Sequence, residues 1–78
     1  MSKYRVFTND VAQNRYSAFC DVDAGTLEAA KVKALAKVNH ACRVLVLSHY
    51  AKNLWPKGRT GEIDTDLLRD NGNFARFQ

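Results

Sequence analysis

The stretch that decides the fold spans residues 16–50 and has the sequence YSAFCDVDAGTLEAAKVKALAKVNHACRVLVLSHY. Its first part, Tyr16–Val22, is rich in aromatic and other β-favouring residues. The residues Asp23–Thr26 are typical of a turn into a helix, and the helical pattern continues to about His40. The apolar run Arg43–Leu47 then predicts a strand at the centre of a sheet. This order of strand, helix and strand is the main indication of the fold class.

The helix has a clear beginning and two distinct sides. Thr26 is a favoured N-cap, and Glu28 lies in the first turn, where the helix dipole favours an anion. The helical repeat places six apolar residues on one stripe: Leu27, Ala30, Ala34, Leu35, Val38 and Ala41. Lys31 falls inside this stripe, and we expect its long stem to pass the sheet edge and reach solvent. The opposite side carries a basic helix strip formed by Lys33, Lys37 and His40.

The segments before the helix predict a β-hairpin. Tyr4–Thr8 alternates between the two faces of a strand, and a short polar connection leads into the second strand-like run. Two strands joined in this way usually pair antiparallel. Alternation places four residues of the second strand on one face: Tyr16, Ala18, Cys20 and Val22.

The end of the chain allows two interpretations. Asn71-Gly72 is typical of a type I′ turn that joins Leu67–Arg69 to Phe74–Phe77 in a hairpin. Alternatively, Thr65–Gly72 forms a short helix that Thr65 caps. The hairpin is the stronger local signal. We therefore predict a single α+β domain over residues 1–78, with a small antiparallel sheet of roughly three to five strands and one main α-helix on one face, in the order β-β-α-β followed by a terminal β-hairpin.

Size and charge restrict the classes of function. A chain of 78 residues buries only about 60% of its unfolded surface, which leaves little room for a deep pocket. The net charge of +4 favours an acidic partner, although small soluble domains commonly carry a charge of this size. No apolar run is long enough to span a membrane, and no signal peptide follows Met1. We expect a cytoplasmic protein without membrane contact.

The sequence gives little support to catalysis or metal binding. Zinc sites usually show closely spaced pairs of ligands. Among the candidate ligands Cys20, His40, Cys42 and His49, only His40 and Cys42 form such a close pair. The two cysteines lie where the pattern requires core residues, which favours free buried thiols over a disulfide. The alternating carboxylates Glu62, Asp64 and Asp66 are typical of a solvated acidic edge. We predict no catalytic residues, no metal and no cofactor.

Binding to a macromolecule is the leading hypothesis. Trp55 lies in an irregular loop with residue types that are enriched at interface hot spots, although it could instead fold back over the open end of the core. We predict a contact surface that joins the helix strip to this loop: Lys33, Lys37, His40, Lys52, Leu54, Trp55, Lys57 and Arg59. The expected partner is an acidic protein surface or a nucleoprotein complex.

Two further classes of function remain open. The runner-up is direct binding of nucleic acid through the same cations, with Trp55 stacking on an unpaired base. The third is a structural or self-assembling role, because an open sheet edge could pair with a second copy in a homodimer.

The arrangement of segments also resembles a class of known proteins. The likeness lies in Asp23–Lys37, in Cys42–Leu47 and in Asp70–Phe74, which give the order hairpin, helix, strand and terminal hairpin. This architecture resembles small phage-encoded accessory proteins, including some anti-CRISPR proteins. The resemblance implies a protein that occupies and blocks a surface of a host complex, without catalysis, in the host cytoplasm. It rests on architecture, and no functional residue is transferred.

Overall fold

Four strands and one α-helix form the core of the structure, a computed structural model that describes residues 1–10, 15–38, 42–56 and 72–76. The elements are β1 (Ser2–Asp10), β2 (Arg15–Ala24), α1 (Leu27–Lys37), β3 (Arg43–Ser48), a 3₁₀ helix (His49–Leu54) and β4 (Phe74–Arg76). The strands form one antiparallel sheet in the order β2-β1-β3-β4. Helix α1 packs on one face of this sheet. The predicted α+β fold class is therefore confirmed.

Strand β3 is buried on both of its faces. Four consecutive residues, Val44–Leu47, are at most 1% exposed. Val44 and Val46 belong to the core beneath α1, whereas Leu45 and Leu47 belong to a second core on the opposite face. The apolar run that predicted a central strand thus supplies side chains to two separate cores.

Small side chains bring α1 close to the sheet. Ala30 and Ala34 are completely buried, and the absence of longer side chains at these positions lets the helix backbone approach the strands. The helix begins as predicted, because the Thr26 hydroxyl accepts a hydrogen bond of 3.1 Å from the Ala29 backbone N–H.

The C-terminus of α1 differs from the prediction. The helix ends at Lys37, before the predicted His40, because Val38 already has an extended backbone with φ −85° and ψ 137°. The Val38 N–H closes the last turn by donating to the Leu35 carbonyl. Val38 itself is buried although it lies beyond the helix.

A β-bulge interrupts the pairing of β1 with β2. Val6 lies opposite Cys20, but the next residue, Phe7, lies opposite Ala18. Phe19 is the extra residue, and it is 48% exposed. A bulge of one residue reverses the alternation of faces on either side of it.

This reversal corrects the predicted face of β2. Val22 packs in the core beneath α1, whereas Tyr16 is buried in the core on the opposite face. The expectation that Tyr16, Ala18, Cys20 and Val22 share one face is therefore wrong. The opposite core consists of Phe7, Tyr16, Leu45 and Leu47, with Leu54, Trp55 and Phe74 packed against it.

Strand β4 is held by polar contacts from two directions. Lys31 does not end in solvent, since its Nζ donates to the Gly72 carbonyl at 2.9 Å and pairs with Glu28 at 3.0 Å. Asn73 exchanges two hydrogen bonds of 2.9 Å with the backbone of Val46, one through its carbonyl and one through its side-chain amide. Gly72 has φ 65°, a conformation that glycine adopts without strain.

The predicted terminal hairpin is only partly visible. Strand β4 begins at Phe74 as expected and pairs antiparallel with β3. The other arm, Leu67–Arg69, together with Asn71 and Phe77, lies outside the described residues.

Close helix packing yields a stability test. We expect Ala34→Leu to lower the free energy of unfolding by about 1–3 kcal/mol, because the added carbons have no space between α1 and the sheet. The matched control is Ala36→Leu, at an exposed position of the same helix, with an expected change within about 0.5 kcal/mol. Urea unfolding measures both, and equal effects of the two substitutions would contradict the close approach.

Candidate partner-binding surfaces

The structure separates the residues that the sequence grouped into one contact surface. Lys33 and Lys37 lie on α1, which covers one face of the sheet. Leu54 and Trp55 pack against the opposite face, and the ammonium group of Lys52 lies near the Trp55 ring. The remaining predicted residues, His40, Lys57 and Arg59, lie outside the described residues.

Trp55 packs back onto the sheet. Its ring meets Phe7 edge to face, with centroids 5.7 Å apart, and meets His49 in the same way at 5.1 Å. The indole Nε1–H donates a hydrogen bond of 3.2 Å to the Ser48 carbonyl. Trp55 therefore closes one end of the second core, which was the structural alternative for this residue.

Two cations lie close to the Trp55 ring. The Arg5 guanidinium carbon is 4.9 Å from the ring centroid, and the Lys52 Nζ is 5.6 Å from it. Both distances are within the range of cation–π attraction. The ring is thus occupied by protein contacts, which reduces the area on which a nucleic-acid base could stack.

Arg5 also takes part in an ionic network with Asp21 and His49. Arg5 Nε and Nη2 donate to the two carboxylate oxygens of Asp21 at 2.8 and 3.2 Å, which is a bidentate pair between directly opposed residues of β1 and β2. His49 Nε2 lies 3.3 Å from Asp21 Oδ1. The hydrogen bond from Arg5, with a smaller contribution from His49, lowers the pKa of Asp21 from 3.8 to about 2.

A second group of cations lies at the other end of the same face. Arg43 and Arg76 are directly opposed on β3 and β4, and both are exposed. Directly opposed residues project from the same face with Cβ atoms about 4.5–5.5 Å apart. Since Leu45 and its partner Phe74 belong to the second core, Arg43 and Arg76 project from the face opposite α1. The Arg43 guanidinium lies 5.4 Å from the centroid of the Phe74 ring.

Neither cysteine is arranged for nucleophilic chemistry. Cys42 is buried and Cys20 is half-buried, both belong to the core beneath α1, and both are free thiols. Burial raises the pKa of each thiol, and in Cys20 the nearby Lys37 opposes this effect only in part. A raised pKa keeps both thiols protonated near neutral pH.

The described part of the chain contains no group of three or more His, Cys, Asp or Glu side chains that could hold a metal ion. Its helices also lack the length and apolar content that a membrane crossing requires.

Several residues of these surfaces were not among the contact residues that the sequence predicted: Arg5, Asp21, His49, Arg43 and Arg76. The alternation within Tyr4–Thr8 placed Arg5 on a strand, but only the register shows that Asp21 lies opposite. In the same way, Arg43 and Arg76 are separated by 32 intervening residues, and only the pairing of β3 with β4 brings them together.

The comparisons with known proteins give no family assignment. No family model matches the chain, and the searches of curated proteins and of solved structures found no match either.

The ionic network predicts an acid-dependent contribution to stability. Because folding lowers the pKa of Asp21 to about 2, its contribution is present above its unfolded pKa of about 4 and is lost as the pH falls towards 2. We expect Asp21→Asn to reduce the loss of stability over this range. Urea midpoints at several pH values measure it, with Asp23→Asn on the same strand as the control. An unchanged pH slope in Asp21→Asn would contradict the pairing.

The packing of Trp55 predicts a structural cost on its removal. We expect Trp55→Ala to lower the free energy of unfolding by about 2 kcal/mol, which is less than for a fully buried tryptophan because this ring is half-buried. Tyr50→Ala, in the same 3₁₀ helix at a position 92% exposed, is the control and should change stability by no more than about 0.5 kcal/mol. Equal stabilities of the two variants in thermal unfolding would show that the indole is not part of the core.

Proposed function

We propose that this chain is a non-enzymatic binding module that attaches stoichiometrically to an acidic surface of a protein or nucleoprotein complex. The contact surface is the arginine face, which we define as the sheet face opposite α1 with Arg5, Arg43, Lys52 and Arg76. The observation that supports this most is the direct opposition of Arg43 and Arg76.

Two like charges directly opposed on neighbouring strands destabilise a sheet. No carboxylate of the described residues forms an ion pair with Arg43 or Arg76. An acidic partner that inserts a carboxylate between the two guanidinium groups would remove this repulsion and gain charge-assisted hydrogen bonds. Relief of this repulsion would then contribute to the free energy of binding.

The arginine face is also partly preorganised. Arg43 rests on Phe74, and Arg5 is held between Trp55 and the Asp21 carboxylate. Side chains already held in place lose less conformational entropy when a partner binds. The arginine face thus combines arginine with aromatic side chains, the residue types that are enriched at the hot spots of protein interfaces.

A protein partner is favoured over direct nucleic-acid binding because of Trp55. A base-stacking platform needs an accessible aromatic face, whereas Trp55 is in contact with Phe7, His49, Arg5 and Lys52. Binding of phosphates by the arginine pair remains the runner-up, and it is an outcome of the test below.

We propose a non-enzymatic role because His49 contacts Asp21 and has no thiol nucleophile beside it. Both thiols belong to the core on the other side of the sheet, so neither is placed for activation by His49. The resemblance to phage-encoded accessory proteins extends the proposal to a blocking role, in which the bound partner is a host complex. That extension rests on the resemblance alone.

The test begins with identification of the partner. A tagged chain is used to capture proteins from its native cell, mass spectrometry identifies the candidates, and binding is then measured with the purified components. We expect a 1:1 complex in which Arg43→Gln with Arg76→Gln raises Kd about tenfold or more, as expected for the loss of two interfacial charges.

A charge-matched variant is the control for this test. Lys33→Gln with Lys37→Gln removes the same charge from the α1 side and should raise Kd less. Wild-type affinity in the arginine variant would refute the proposed contact surface. Tighter binding to duplex or single-stranded nucleic acid than to any captured protein would replace the proposal by the runner-up, and concentration-dependent sedimentation of the chain alone would replace it by self-assembly.

A further inference from the structure

The direction of the backbone hydrogen bonds shows which groups remain open at the sheet edges. The Val46 N–H donates to the Asn73 carbonyl, so the backbone groups of Val46 point towards β4. Successive residues of a strand point to opposite edges, and Leu47 therefore points towards β1. Its partner there is Arg5, whose backbone groups consequently point back towards β3.

The same alternation continues into β2. Tyr4 precedes Arg5, so its backbone N–H and C=O point in the opposite direction, towards β2. Its partner there is Val22, whose backbone groups point back towards β1. The backbone groups of Asp21 and Asp23 must then point away from the sheet, at its outer edge. In agreement, the Asp23 carbonyl accepts a hydrogen bond from the Lys33 ammonium group instead of a strand. Among the described segments no strand pairs with the outer edge of β2, and a further strand could engage its backbone groups.

A groove runs along this edge, between β2 and α1. Its β2 wall is formed by Asp21, Val22 and Asp23, and its α1 wall is formed by Lys33, Ala36 and Lys37. The volume of the groove is about 450 Å³. Val22 and Ala36 give it an apolar floor, and the two lysines give the helix side a positive charge.

The spacing of the two lysines matches that of alternate residues in an extended peptide. Lys33 and Lys37 are one helical turn apart, which corresponds to a rise of about 6 Å. Side chains on one face of a strand repeat every two residues, or about 6.6–6.8 Å. Two acidic side chains in the pattern Glu-x-Glu could therefore each meet one lysine. The opposite face of such a peptide would lie beside the carboxylates of Asp21 and Asp23, which disfavours acidic residues there.

We propose that the groove between α1 and the outer edge of β2 binds an extended peptide of a partner protein, with acidic side chains at alternate positions, as an added strand. A peptide N–H takes the place of the Lys33 ammonium group on the Asp23 carbonyl, and Lys33 then pairs with a peptide carboxylate. No hydrogen bond is lost in this exchange, and an ion pair is gained. The groove adjoins the arginine face only through the Asp21–Arg5 pair and includes none of Arg43, Lys52 and Arg76, so this proposal stands independently of the proposed function.

The probe is a fluorescein-labelled peptide of about ten residues with blocked ends, in which Glu alternates with Thr so that one face is acidic and the other neutral. Anisotropy at low salt gives its Kd, and nitrogen–proton correlation spectra show where it binds. We expect saturable binding with the largest shifts at the amides of Asp21 and Asp23. Lys33→Gln with Lys37→Gln should raise Kd about tenfold, because both ion pairs are lost.

Matched controls separate strand addition from charge attraction alone. A peptide of the same composition with its Glu residues in one block, and a peptide N-methylated at alternate amides, should both bind about fivefold more weakly or worse. Arg43→Gln with Arg76→Gln removes equal charge at the opposite edge of the sheet and should leave the Kd of the peptide within about twofold. Equal binding of the N-methylated peptide, shifts confined to Arg43 and Arg76, or no saturation up to about 1 mM would each overturn the proposal.

Discussion

The burial of β3 on both faces is the constraint on which the rest of the structure depends. Val44–Leu47 presents apolar side chains alternately to each side, and neither side can remain in water without a large loss of hydrophobic stabilisation. Helix α1 covers one side through its alanines, and the 3₁₀ helix with Trp55 packs against the other. No charged side chain of the described segments is buried in either core. The charged residues are consequently left on the edges and outer surfaces, where they can contact a partner.

Much of this architecture could be predicted from the sequence, because the signals are local. Thr26 caps the helix, the alanine-rich stripe is buried, and the apolar run of β3 is central. The features that could not be predicted depend on pairing. The bulge at Phe19 leaves no sequence signature, yet it moves Tyr16 to the other face of the sheet. Similarly, α1 ends at Lys37 with an extended Val38, which helical periodicity alone would have assigned to the helix.

The same distinction applies to the candidate surfaces. The sequence grouped the helix lysines with Trp55 because each carries a signal of binding, but a sheet with two covered faces holds them on opposite sides. The pairing register between distant strands places Arg5 opposite Asp21 and Arg43 opposite Arg76. Neither pair could be predicted from the sequence. The result is a molecule with two basic regions, one on the sheet face and one beside the outer edge of β2, and we propose a different acidic partner shape for each.

The most direct test of this account is native-state amide hydrogen exchange, followed by NMR. The strand order and hydrogen-bond directions predict that the amides of Leu45 and Leu47, which point towards β1, exchange only through global unfolding. The amides of Asp21 and Asp23, which point outward from β2, should exchange orders of magnitude faster. If Asp21 and Asp23 were as strongly protected as Leu45 and Leu47, the edge of β2 would not be open and the account would be wrong.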